Sequence, residues 1–143
     1  MKSLIRLFFR MIRLILGPIL LLAEWITTPR GLVRTAADQR AVDQASGMLT
    51  LYQFRTCPFC IKVRRTCKRL SLPIATRDAQ HDASARQELL AATGKVQVPC
   101  LKITAADGTA VWMPESGTII QYLHERFAGQ GPREVLSSQR KAR

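Results

Sequence analysis

The sequence predicts a small α/β domain, a central sheet flanked by helices, over residues 48–128 of a 143-residue chain. Three observations point to it. Short apolar runs of strand character alternate with longer runs of helical period. Breaker and hairpin signals, Thr93-Gly94-Lys95 and Asp107-Gly108, stand between them. The sequence Cys57-Pro58-Phe59-Cys60 joins the first strand-like run to the first helical one.

Taken in order, residues 1–28 form an apolar helix ended by the breaker cluster Thr27-Thr28-Pro29-Arg30-Gly31. Arg6, Arg10 and Arg13 share one face of it, and Leu14 to Ala23 is a charge-free run of ten residues before Glu24. Ten residues are too few to cross a bilayer, which needs about 20. The expectation is a membrane-associated helix, anchored or lying in the interface plane, that holds the protein to lipid through residues 1–28. A true span, a cleaved signal and a helix packed on the domain are the alternatives. Basic residues before and after the apolar run nearly balance, so they orient a span weakly. A redox domain facing the cytoplasm is the expectation.

Residues 29–47 read as a polar linker with a short helix over residues 36–45. A strand follows over 48–54, then a helix from Pro58 to about Leu70. Ser71-Leu72-Pro73 turns into a strand at 74–77, and a helix spans 84–92. After Pro99 a third strand places Leu101 and Ile103 on one face; Asp107-Gly108 turns it into a fourth over 110–113. A last helix covers 116–127, and residues 129–143 form a basic tail. The order is βαβαββα.

Lys and Arg total 22 against 10 Asp and Glu, a net charge of +12. The excess is +4 over residues 1–47, +5 over 48–128 and +3 over 129–143. Charge spread this evenly favours attraction to anionic surfaces and small anions over a dedicated nucleic-acid stripe. No nucleic-acid partner is expected. Four cysteines are too few for a disulfide scaffold and suit a reducing compartment with a catalytic pair.

A Cys-x-x-Cys between a strand and a helix reads as a thiol redox site. Unpaired N–H groups of the first helical turn favour an anionic sulfur at Cys57, and Cys60 lies one turn on, within reach of a disulfide. Pro58 suits the first helical position, where its missing N–H costs nothing. The same motif is half of a zinc site in other settings. The remaining ligands, Cys67, Cys100, His81 and His124, form no second close pair, so redox chemistry is preferred and no metal is expected. Cys67 reads as a buried small hydrophobe. Cys100 reads as a core strand residue near the site, or a third modifiable thiol. Lys62, Arg64, Arg65, Lys68 and Arg69 read as a solvated face.

Three motifs carry a family resemblance. They are Arg55-Thr56-Cys57-Pro58-Phe59-Cys60, Val96-Gln97-Val98-Pro99, and Glu115-Ser116 leading into Ile119-Ile120-Gln121-Tyr122-Leu123. In this order and spacing, residues 48–128 resemble glutaredoxins and equally the thioredoxin-fold N-terminal domain of glutathione transferases. The resemblance implies a thioredoxin-like fold with a four-stranded mixed sheet. It implies glutathione as co-substrate, with Cys57 as nucleophile and Cys60 as resolving thiol. It places Arg55 at a glutathione carboxylate, Pro99 in cis with the Val98 backbone on the glutathione peptide, and Glu115 and Ser116 at the γ-glutamyl end. Pro58 and Phe59 complete the glutathione-binding set. The function so implied is a membrane-tethered, glutathione-dependent thiol–disulfide oxidoreductase acting on glutathionylated or disulfide-bonded proteins. A non-catalytic glutathione-binding module, a transferase-like protein and an iron–sulfur carrier are the alternatives.

Overall fold

Strand alternation builds the sheet. In a computed structural model, which describes residues 2–129 and side chains from Leu4 onward, β1 is Leu49–Gln53. Leu49 and Leu51 point to one face and Tyr52 to the other, and all three are buried. β1 pairs in parallel with β2 (Ala75–Asp78) and antiparallel with β3 (Cys100–Thr104), which pairs antiparallel with β4 (Ala110–Pro114). The order β2-β1-β3-β4 is the mixed sheet of the thioredoxin-like fold. Pro114, which lacks an N–H, sits on an edge strand, where the sheet tolerates it.

Helices cover both faces. Leu49, Leu51 and Leu101 pack against Val63 and Cys67 of α3 (Pro58–Arg69), Leu70 just after it, and Ile119, Leu123 and Phe127 of α5 (Ser116–Phe127). On the other face Tyr52 and Cys100 meet Ala85 and Leu89 of α4 (Ala83–Thr93). Trp112 packs there too, its ring centroid 5.0 Å from that of Tyr52. The spacing 63, 67, 70 is one inner face of a helix, as expected for Cys67. At the Asp107-Gly108 turn, the Ala105 N–H donates to the Thr109 carbonyl at 2.8 Å, and Gly108 takes the positive φ the turn requires.

Asp82 starts α4. Its carboxylate accepts from the Ser84 and Ala85 N–H groups at 2.9 and 3.2 Å and meets Arg77 at 3.0 Å. Arg77 above all, with those amides, holds the Asp82 carboxyl down to about 2. The folded value lies below the ~3.9 of an unfolded chain, so Asp82 stabilises fully above pH ~4. That contribution is lost as pH falls from there towards ~2. Asp82→Asn keeps the cap and removes the titration. Urea midpoints measured against pH should therefore fall less steeply in this acidic window for the variant than for the parent.

The N-terminal third adds to the core. The short helix expected over residues 36–45 is α2 (Ala36–Ser46), started by Thr35 accepting from the Asp38 N–H; its Val42 is wholly buried in the main core. Arg34 donates through Nη1 to the Leu70 carbonyl at 2.5 Å and through Nη2 to the Phe127 carbonyl at 3.1 Å. One cation thus serves the C-terminal ends of α3 and α5, where the helix dipole favours it.

The first helix, α1 (Lys2–Ile26), corrects the expected localisation. Among the described residues no helix is long and apolar enough to cross a membrane. The reason is in its charges: Arg6, Arg10 and Arg13 recur through its first half and Glu24 closes the second. Nor does α1 stand apart from the domain. Gly17 and Glu24 are buried against it, while Ile15, Ile19 and Leu22 remain exposed on the opposite side. The membrane-associated location with a cytoplasm-facing domain is therefore not upheld. The basic tail expected over 129–143 lies, apart from Gly129, outside the described residues.

Candidate active site

Strand register gathers the site. Tyr52 of β1 pairs with Cys100 of β3, and Cys100 pairs with Pro114 of β4. The loop leaving β1 towards Cys57, the Val98-Pro99 step entering β3 and the Glu115-Ser116 step leaving β4 therefore meet at one end of the sheet.

Cys57 occupies the position that caps α3, with extended backbone (φ −76°, ψ 124°), and Pro58 follows in the first turn. Its side chain is half-buried and caps no amide of the helix, so the open N–H groups of the first turn remain available to a bound anion. Cys60, one turn on, is fully buried. Burial, reinforced by the neighbouring Cys57, pushes the Cys60 thiol up to about 12, against the opposing pull of the Phe54 backbone and Arg64. The two thiols are thus unequal: one is reachable and the other is shielded and neutral. Phe59 is exposed beside them, with the Lys62 ammonium 5.8 Å from its ring centroid.

The Val98–Pro99 bond is cis; Val98 is half-buried and Pro99 buried. Glu115 has φ 72° and ψ 128°, a backbone region that residues with a Cβ rarely occupy. Its side chain is exposed and has no ion-pair partner among the described residues. Ser116 begins α5, so the unpaired first-turn amides of a second helix open at the same end of the sheet.

Arg55 is placed differently. It lines a cavity of about 420 Å³ between α1 and the domain, together with Glu24, Gln53, Arg64, Lys68 and Asp78. It is absent from the lining of the cavity at Cys57. That second cavity, about 220 Å³, lies between α1 and the Cys57 loop: Arg13, Leu16, Gly17 and Leu20 face Phe54 and Cys57. Gly17 lies close to the Thr56 methyl: a Cβ there would stand 3.4 Å from it, in ordinary van der Waals contact.

Arg64 is the residue that the sequence pattern hides. Read as part of a solvated face, its side chain is only 14% exposed. Its Nε donates to Glu24 Oε1 at 2.9 Å and its Nη2 to Glu24 Oε2 at 2.5 Å. Nη1 reaches Gln53 Oε1 at 2.8 Å, and Nη2 also meets the Arg55 carbonyl at 3.0 Å. One guanidinium thus ties α1, the end of β1 and the loop before Cys57. The only hint in sequence is Glu24, a lone acid after ten apolar residues.

The remaining candidates stand away from this chemistry. Cys67 and Cys100 are buried, and burial pushes each thiol up to about 11. His81 is exposed and meets Asp78 at 2.8 Å. His124 lies within α5, in the turn before its C-terminal end.

A family model described as glutathione S-transferase, N-terminal domain, matches residues 51–131. Among curated proteins no match is found. Among solved structures, the chain is similar to maleylacetoacetate isomerase from Anaeromyxobacter dehalogenans with bound GSH in the active site. There the identity is 25%, the TM-score 0.44, and 59% of this chain and 39% of that one are covered. It is similar to glutathione transferase Omega 3C from Trametes versicolor, at 20% identity and TM-score 0.47 over 70% and 43% of the two chains. It is also similar to the holo form of glutaredoxin C1 from Populus tremula × tremuloides, at 16% identity and TM-score 0.43 over 63% and 88%. The chain spans about two fifths of the length of the isomerase and the transferase. With more than half of its residues matched by the family model, the chain belongs to the family of glutathione S-transferase N-terminal domains.

Proposed function

We propose that this protein is a glutathione-dependent thiol–disulfide oxidoreductase acting on glutathionylated or disulfide-bonded substrates. The observation that carries the reading is the unequal pair: a reachable Cys57 at the start of α3 and a buried Cys60 one turn behind. The Cys57 thiolate attacks the glutathione sulfur of a mixed disulfide. A Cys57–glutathione disulfide forms, and the substrate sulfur leaves as a thiolate that takes a proton from water. A second glutathione thiolate then attacks the glutathione sulfur, giving oxidised glutathione and returning Cys57 as thiolate. Cys60 offers an internal route, in which it loses its proton and attacks Cys57. A thiol held near 12 is seldom ionised at neutral pH, so free glutathione resolves the intermediate faster.

Glutathione is held, in this reading, by three features at the same end of the sheet. The Val98 backbone pairs with the peptide. The α5 amides behind Ser116 hold the γ-glutamyl carboxylate. The Glu115 carboxylate meets its ammonium, which accounts for a backbone strain that otherwise has no local return. Pro58 and Phe59 flank the sulfur. Arg55, directed to another cavity, is left out of the set.

The test is turnover of the mixed disulfide of glutathione and 2-mercaptoethanol with glutathione as reductant. Glu115→Gln should raise KM for glutathione about tenfold, the loss of one charge-assisted hydrogen bond of roughly 1.5 kcal/mol. A protein that turns over none of this disulfide is not an oxidoreductase of this class.

A further inference from the structure

We infer that α1 builds a second-substrate subsite at Cys57, one that selects the mixed disulfide of glutathione with a small aromatic thiol bearing a carboxylate. The inference rests on the oxidoreductase reading and deepens it. The cavity of about 220 Å³ between α1 and the Cys57 loop has Cys57 in its own lining. Its other walls are apolar, with Leu16 and Leu20 from α1 and Phe54 from the loop. A cavity of roughly 150 Å³ with such walls holds a benzene ring, so this one has room for a ring and a small substituent. Phe54 adds an aromatic side chain to this lining.

Charge sets the substituent. Arg13 lines the same cavity, is exposed, and makes no ion pair among the described residues. The wall is almost wholly apolar, so Arg13 lines it with its stem, and its exposed guanidinium is left to meet a carboxylate at the mouth in a bidentate fork. Val98, Glu115 and Ser116 contribute nothing to this lining. The cavity therefore approaches the Cys57 sulfur from a side that the proposed glutathione anchors leave free. In the first step the Cys57 sulfur bonds to the glutathione sulfur, the old S–S bond breaks, and the aryl thiolate is released in the α1 cavity. Glutathione supplies the electrons, as in the parent reaction.

Three disulfides of glutathione test this, made with 4-mercaptobenzoate, thiophenol and 2-mercaptoethanol, on the full chain and its Arg13→Gln and Arg13→Lys variants. The wild-type protein should prefer both aryl disulfides to the hydroxyethyl one, and the carboxylated aryl disulfide most. In Arg13→Gln the ratio of kcat/KM for the carboxylated over the plain aryl disulfide should fall about tenfold, and Arg13→Lys should restore part of it. Arg13 is exposed, so neither change threatens folding. An unchanged ratio, or no aryl preference in a protein that still reduces the hydroxyethyl disulfide, overturns the subsite and leaves the oxidoreductase reading intact. Failure with all three disulfides overturns both.

Discussion

Cys57→Ser should abolish turnover of glutathione mixed disulfides, by more than about a thousandfold, because a serine hydroxyl does not attack a disulfide. Cys60→Ser should keep turnover within a few fold of the parent. The asymmetry follows from placement. Cys57 is reachable at the start of α3, whereas Cys60 is fully buried with its thiol pushed up to about 12. Iodoacetamide labelling at neutral pH gives the same contrast without a substrate: Cys60→Ser should label rapidly and Cys57→Ser slowly. Turnover by Cys57→Ser, or faster labelling of Cys60, would reverse the assignment.

Arg64→Ala should cost roughly 3–5 kcal/mol of stability, the penalty for leaving a buried carboxylate unpaired. Glu24 is only 8% exposed and has both carboxylate oxygens on this one guanidinium. Replacing both partners, Glu24→Leu with Arg64→Met, should recover most of the loss, since an apolar pair of similar volume carries no unsatisfied charge. Urea unfolding of the three proteins measures both effects. A loss under about 1 kcal/mol for Arg64→Ala is the value of a surface pair, and it would mean that α1 leaves the domain readily in solution. Activity should also drop in Arg64→Ala, because the Arg55 carbonyl in the loop before Cys57 loses a donor.

What was legible in the sequence was whatever local spacing encodes. Leu49 and Leu51 against Tyr52, Leu101 with Ile103, and the Asp107-Gly108 turn each write their strand or hairpin into neighbouring residues. Cys57, Pro58, Val98, Pro99, Glu115 and Ser116 were legible as motifs, and the register of three strands gathers them. What stayed hidden depends on partners far along the chain. Glu24 and Arg64 are 40 positions apart, and neither periodicity nor charge count pairs them. Arg64 has exposed basic neighbours at Lys62, Lys68 and Arg69, so their solvation masked its own burial. Arg34 sat in a stretch that pattern alone marks as linker. Membrane association was misread for the same reason, since an apolar helix that packs on its own domain and one that enters lipid share a local composition.

Arg34 has a geometric consequence. It clasps the C-terminal ends of α3 and α5, the two helices whose opposite ends present Cys57 and Ser116. Each helix has 12 residues, so each is a lever about 18 Å long. With the rear ends clasped, a tilt of only about 5° swings either front end by about 1.5 Å, more than the 1 Å misplacement that costs reacting groups a hundredfold in rate. The clasp makes Arg34 the common pivot of both levers, so the gap between Cys57 and Ser116 responds to the far side of the molecule.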